Sequence, residues 1–165
     1  MMIRSASSGS RSFDRLASMV APRLYHSTAL LLPDGRVLVA GGGRFNGVNE
    51  PTDQLSSEIY SPPYLFNGAP PVISAAPAAT TYATSFSITT PDASTITSAA
   101  LIRLGAVTHA FDQNQRYVPL TFQQATGGLS VQSPSSANLA PPGYYMLFIV
   151  NSTGVPSVAS IVKVQ

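Results

Sequence analysis

Residues 24–43 read LYHSTALLLPDGRVLVAGGG. Two apolar runs, 24–32 and 36–40, flank Pro33-Asp34-Gly35. Proline presets φ for a turn, aspartate caps it and glycine tolerates φ > 0, so the stretch predicts a β-hairpin. Gly41-Gly42-Gly43 ends the second strand, residues 44–54 read as a loop, and SEIY at 57–60 reads as a further short strand. A few strands with one apolar face need a partner to bury it. Residues 15–61 therefore read as part of a β-sheet that does not stand alone.

Working outward, residues 61–71 (SPPYLFNGAPP) are dense in proline and mark a boundary, with the linker at 62–70. Beyond it, seven short apolar runs alternate with Gly, Pro, Ser and Thr, at 72–75, 85–89, 99–104, 118–123, 129–132, 143–150 and 157–164. That spacing over residues 71–165 predicts an immunoglobulin-like β-sandwich able to fold by itself. Leu101, Val118, Leu120, Leu147, Ile149 and Val162 are its expected core. Residues 1–14, small and polar, read as a disordered end. No stretch sustains a helical period, so the fold class is all-β.

Composition removes several functions. Of 165 residues only 10% are charged, with 9 basic against 7 acidic for a net +2. The basic residues form no run, which excludes a nucleic-acid groove or an arm for an anionic membrane. The absence of cysteine removes disulfides, thiolate metal sites and cysteine nucleophiles together. No run approaches the roughly 18 apolar residues of a membrane helix. The first residues lack the apolar core of a signal peptide.

The inventory of chemical groups is short. His26 follows Tyr25 at the start of a strand, where neighbours point to opposite faces unless the strand end twists. His109 sits in AVTHAF at 106–111, a loop between sandwich strands. Two imidazoles and a phenol suit a divalent ion that prefers N and O donors, such as Cu(II). Against this, a lone strand histidine is more often a hydrogen-bonded structural residue, and a tyrosine more often an amphipathic packing residue. Nothing local forces His109 towards His26. Asp34 and Asp112 are too isolated for a carboxylate pair. The triple glycine lacks a following helix and a lysine, so it is no phosphate cradle, and Ser27 lacks a nucleophile elbow. Asn151-Ser152-Thr153 fits the glycosylation sequon, a frequent chance match.

Read in order, RLYHS at 23–27, LLPDGRV at 31–37 and the triple glycine resemble the last propeller part of the copper-radical oxidases, the galactose oxidase and glyoxal oxidase family. SAALIR at 98–103, Thr108-His109, Gln115-Arg116, Val118-Pro119-Leu120, PGYYMLF at 142–148 and NSTGVPSVAS at 151–160 resemble that family's C-terminal domain. The resemblance implies a partial kelch-type propeller blade followed by an immunoglobulin-like early set domain. It implies Tyr25 as axial copper ligand and catalytic base, with His26 and His109 as further copper ligands. It also implies oxidation of a primary alcohol or aldehyde by oxygen with release of hydrogen peroxide, and an extracellular or cell-surface setting.

The family's radical cofactor, a tyrosine crosslinked to a cysteine, cannot be made from a chain without cysteine. The expectation is therefore a C-terminal fragment, a separately encoded piece or a degenerate relative, inactive unless an upstream propeller completes it. The alternative is a non-catalytic module that binds carbohydrate or docks a propeller, since fold does not fix function. Its partners would be the missing propeller portion or further copies of itself, because unpaired strands in the first sixty or so residues are an edge liability.

Overall fold

Around Pro33-Asp34-Gly35 the backbone closes the expected turn. Gly35 N–H donates to Leu32 O at 3.0 Å and Leu32 N–H to Arg36 O at 2.8 Å, with Gly35 at φ +80°. Asp34 accepts from Arg36 N–H and, through Oδ2, from the Arg36 guanidinium at 2.7 Å. That guanidinium holds the Asp34 carboxyl below the usual carboxylate range. The computed structural model that shows this describes residues 2–7, 10–43, 53–109 and 111–165, the first fifteen as backbone only.

Before the turn, β1 (Met2–Ser7) pairs only with β2 (Ser10–Arg15). The sequence reading expected disorder over 1–14; an isolated two-stranded ribbon is marginal in water at best. The hairpin proper is β3 (Ser27–Leu31) and β4 (Val37–Gly41), to which β5 (Ser57–Tyr60) adds, giving an antiparallel sheet in the order β3-β4-β5. Most of the expected loop 44–54 lies outside the described residues.

The linker contains one 3-10 turn, Pro63–Phe66, and packs back on the hairpin. Tyr64 OH donates to Gly35 O at 2.6 Å, and half-burial pushes its phenol pKa up. Asn67 and Asn151 clip the linker to the far turn of the sandwich, through bonds to Thr153 O and Ala69 O.

The remaining strands are β6 (Ala79–Thr80), β7 (Ser85–Thr89), β8 (Ile96–Arg103), β9 (Val107–Thr108), β10 (Phe111–Asp112), β11 (Tyr117–Leu120), β12 (Phe122–Ala125), β13 (Gly128–Gln132), β14 (Gly143–Asn151) and β15 (Ser160–Val164). They build a five-stranded sheet, β11-β8-β14-β15-β6, facing a three-stranded one, β12-β13-β7. The short pair β9-β10 stands apart. All six expected core residues are buried between the sheets, joined by Ile88, Leu129, Val131, Tyr145 and Val164. Tyr145 is fully buried and donates from its hydroxyl to Pro141 O at 2.6 Å, a tyrosine closing its own strand entry as in sandwich corners.

Two expected strands differ. Residues 72–75 make only a bridge from Ala75 to Thr89, because prolines on either side remove ladder donors. The place beside β15 is taken instead by Ala79–Thr80, in parallel. Residues 118–123 are two strands in different sheets. Pro119 is tolerated in β11 because β11 is an edge, and the chain crosses over at Thr121.

Candidate metal centre

Tyr25 and His26 precede β3 rather than belonging to it. Ser27 N–H donates to Leu24 O, and His26 takes φ +59°, so the chain turns where an extended strand was expected. In a strand the two side chains would point apart; in this turn their rings lie 4.0 Å apart, tilted by 30°. Two backbone features hold the turn. Gly43 N–H donates to Tyr25 O at 2.9 Å. Gly41, at φ +71°, lies so close that a Cβ there would sit 2.9 Å from His26 O.

Below it runs an anchor that the sequence reading missed. Arg23 is buried, and it donates to Gly41 O at 2.9 Å, Ser56 O at 2.8 Å, Ser56 Oγ at 3.0 Å and Glu58 Oε1 at 3.2 Å. Glu58 also accepts from the Val20 and Ala21 amides, and those bonds, with Arg23, hold its carboxyl below the usual carboxylate range. A salt-bridged Arg two residues before a Tyr-His pair has no sequence signature, because its partner lies on another strand.

His109 comes from the sandwich. It follows the two-residue strand β9, whose pairing with β10 aligns Thr108 with Phe111 and Val107 with Asp112. Asp112 Oδ1 accepts from Ala106 N–H at 3.0 Å and Asn114 N–H at 2.9 Å, closing the base of this arm. The arm seats against β3 at Gly105, where an added Cβ would meet Leu30 Cδ1 at 2.8 Å. His109 itself takes φ +52°. Left-handed non-glycine residues cost of order 1–3 kcal/mol each and gather at functional sites. Among the described residues they are His26, Ala83 and His109.

The result is a convergence. The His109 ring centre lies 4.6 Å from that of His26, at 74°, and 5.6 Å from that of Tyr25, at 61°. All three side chains are exposed, Tyr25 at 47%. The structure thus brings together all three residues singled out in the sequence. Among the described residues no three His, Cys, Asp or Glu side chains cluster as a metal site, so any such site needs the phenol. Two imidazoles and a phenol are a donor set suited to Cu(II) and unlike the oxygen cages of calcium or magnesium.

Among the described residues no helix is long and apolar enough to cross a membrane. Asn151, in the sequon, already has its amide engaged: Oδ1 accepts from Thr153 N–H, Thr153 Oγ1 and Val155 N–H.

Residues 70–164 match the family described as galactose oxidase-like, early set domain. A galactose oxidase of Gibberella zeae is 42% identical over 147 residues, 86% of this chain and 21% of its own length. An aldehyde oxidase of Vitis pseudoreticulata is 36% identical over 166 residues, 92% of this chain and 32% of its own. Among solved structures, a fungal alcohol oxidase of the AA5 family in complex with copper superposes with a TM-score of 0.84 at 37% identity, over 93% of this chain and 34% of that one. The chain therefore spans no more than about a third of the relatives it matches.

Proposed function

We propose, since this chain belongs to the galactose oxidase-like early set family, that it is the C-terminal part of a copper-radical oxidase and offers Tyr25, His26 and His109 to one Cu(II) ion. The observation that carries this reading is the meeting of three rings from both sides of the proline-rich linker, with centres 4.0–5.6 Å apart. Chance packing of exposed side chains gives no reason for both histidines to hold left-handed backbones. The sheet β3-β4-β5 is then a partial kelch-type blade, and the protein works outside the cell or at its surface.

Bound there, Cu(II) would supply one-electron redox chemistry for the oxidation of a primary alcohol or aldehyde by oxygen, with hydrogen peroxide as product. The chain's own residues do the rest. His26 and His109 would supply nitrogen donors, and with a primary alcohol as substrate Tyr25 Oη would take its hydroxyl proton. The 165 residues contain no cysteine, so the Cys–Tyr radical partner and the walls that select substrate would come from outside them. A second reading, a non-catalytic module that binds carbohydrate or docks a propeller, draws support from that same lack of cysteine.

Titration of the purified chain with Cu(II), followed by EPR, tests the proposal. One-to-one binding with nitrogen coupling is expected, lost in both His26→Ala and His109→Ala. Weak binding insensitive to both substitutions would sink the metal reading for this chain and leave the non-catalytic module.

A further inference from the structure

We infer that Asn67 is a site of spontaneous modification, where the following glycine displaces the side-chain amide and a carboxylate is left in the linker. Asn67 is exposed and follows the 3-10 turn Pro63–Phe66. Gly68 has no side chain to block an approach. Chain neighbours aside, the nearest atom to where its Cβ would stand is Thr153 Oγ1, at 4.0 Å. Among the described residues nothing accepts a hydrogen bond from the Gly68 amide or donates one to the Asn67 carbonyl oxygen. The peptide plane between the two residues is therefore free to turn, and glycine adds the backbone freedom the turn needs.

The other described asparagines are held back from this chemistry. After Asn114 the Gln115 amide donates to Asp112 O, and after Asn138 the Leu139 amide donates to Ser136 O at 3.2 Å. Asn151 has its Oδ1 fixed by bonds from Thr153 N–H, Thr153 Oγ1 and Val155 N–H, and a serine follows it. Asn67 alone among them is followed by an unbonded amide nitrogen that belongs to glycine.

In the step itself the Gly68 nitrogen gives its proton to hydroxide and bonds to Cγ of Asn67. The Cγ–Nδ2 bond breaks, and Nδ2 leaves as ammonia with a proton taken from water. Water then opens the cyclic imide at either carbonyl, giving aspartate or isoaspartate. Both products change a contact. Asn67 Nδ2 donates to Thr153 O at 3.4 Å, which clips the linker to the sandwich alongside the Asn151 bond to Ala69 O. A carboxylate only accepts, so the Asn67 clip is lost. No metal enters this chemistry, and it stands apart from the copper reading.

The test ages the purified full chain in warm, mildly alkaline buffer and maps its peptides by mass. Residue 67 is expected to gain one mass unit and to appear in aspartyl and isoaspartyl forms, while Asn114, Asn138 and Asn151 keep their amides. Asn67→Gln, whose longer side chain closes a ring far more slowly, is expected to abolish the gain. A rate at residue 67 far lower in the folded chain than in urea, or earlier conversion of any of the other three, would overturn the assignment. Asn67→Asp carries one product from the start and should speed exchange of the amide at position 67, which donates to Tyr64 O at 3.3 Å. Exchange there no faster than in the wild type would overturn the loss of the clip.

Discussion

At the scale of single residues the site depends on a charge that never touches it. Arg23 leads into the Tyr25-His26 turn, and its side chain is 1% exposed against 27% for Glu58. Its Nε has no hydrogen-bond partner, so the bonds from its two terminal nitrogens carry the buried charge. Arg23→Met would take a donor from Gly41 O and Ser56 O and the ion-pair partner from Glu58, and should cost about 3 kcal/mol by urea unfolding. A loss below about 1 kcal/mol would mean the pair behaves like an ordinary surface bridge. The pH dependence follows from Glu58. Its folded pKa is depressed by the Val20 and Ala21 amides and Arg23, so its contribution is complete above the ordinary carboxylate value and is lost as pH falls through the folded value. The stability gap between the wild type and Glu58→Gln should be widest near neutrality and close under acid. A gap that stays constant from neutral pH to pH 3 would contradict this account. Asp34 titrates in the same sense but is unchanged between the two proteins, so the comparison isolates Glu58.

Individual elements show where close approach of backbones matters. Gly128 opens β13 between β12 and β7, opposite Ala125 and Thr89. A Cβ there would land on the Ile88 carbonyl oxygen, which is backbone and cannot rotate away. Gly128→Ala should therefore cost about 3 kcal/mol through overpacking, and a change within about 0.5 kcal/mol would show that the strand shifts freely. Gly105 is a contrasting case, since the atom an added Cβ would meet is the tip of Leu30. Gly105→Ala should be mild in stability but should widen the spacing between His109 and His26, seen as fewer ring–ring NOEs. The same elements explain how much could be read in advance. The hairpin turn, β5, β7 and the six core positions follow from local turn chemistry and apolar patterning, and they lie where expected. The break at Thr121 and the loss of a strand at 72–75 depend on which edge each segment meets, which no local pattern encodes. The site divides in the same way. Tyr25, His26 and His109 stand out in the sequence only through the resemblance to the oxidase family. Their convergence needed a left-handed backbone at both histidines, and the Arg23–Glu58 anchor joins strands that are separate in sequence.

For the molecule as a whole, the two halves of the site rest on unequal foundations. His109 extends from a sandwich whose central strands, β8 and β14, carry fully buried side chains such as Leu101, Leu147 and Ile149. Tyr25 and His26 extend from a three-stranded sheet with no buried strand residue except Ser27, and with every residue of β4 only half-buried. That sheet meets the sandwich at the Ala159 amide with Pro33 O at 2.8 Å, at Leu30 with Gly105 and at Gly35 with Pro156, and meets the linker at Tyr64 with Gly35. Local opening follows the density of buried apolar contacts, so the smaller sheet should open without the sandwich. Amide hydrogen exchange on the intact chain should therefore show two classes, with β3, β4 and β5 exchanging together well before β8, β14 and β15. Saturating Cu(II) should slow the first class selectively, because an ion held by Tyr25, His26 and His109 links the weaker element to the stronger one. Equal protection of β4 and β14 without metal would show that the sheet is already stable in its own right. Slowing confined to the β9-β10 arm would show that copper reaches His109 without joining the two halves.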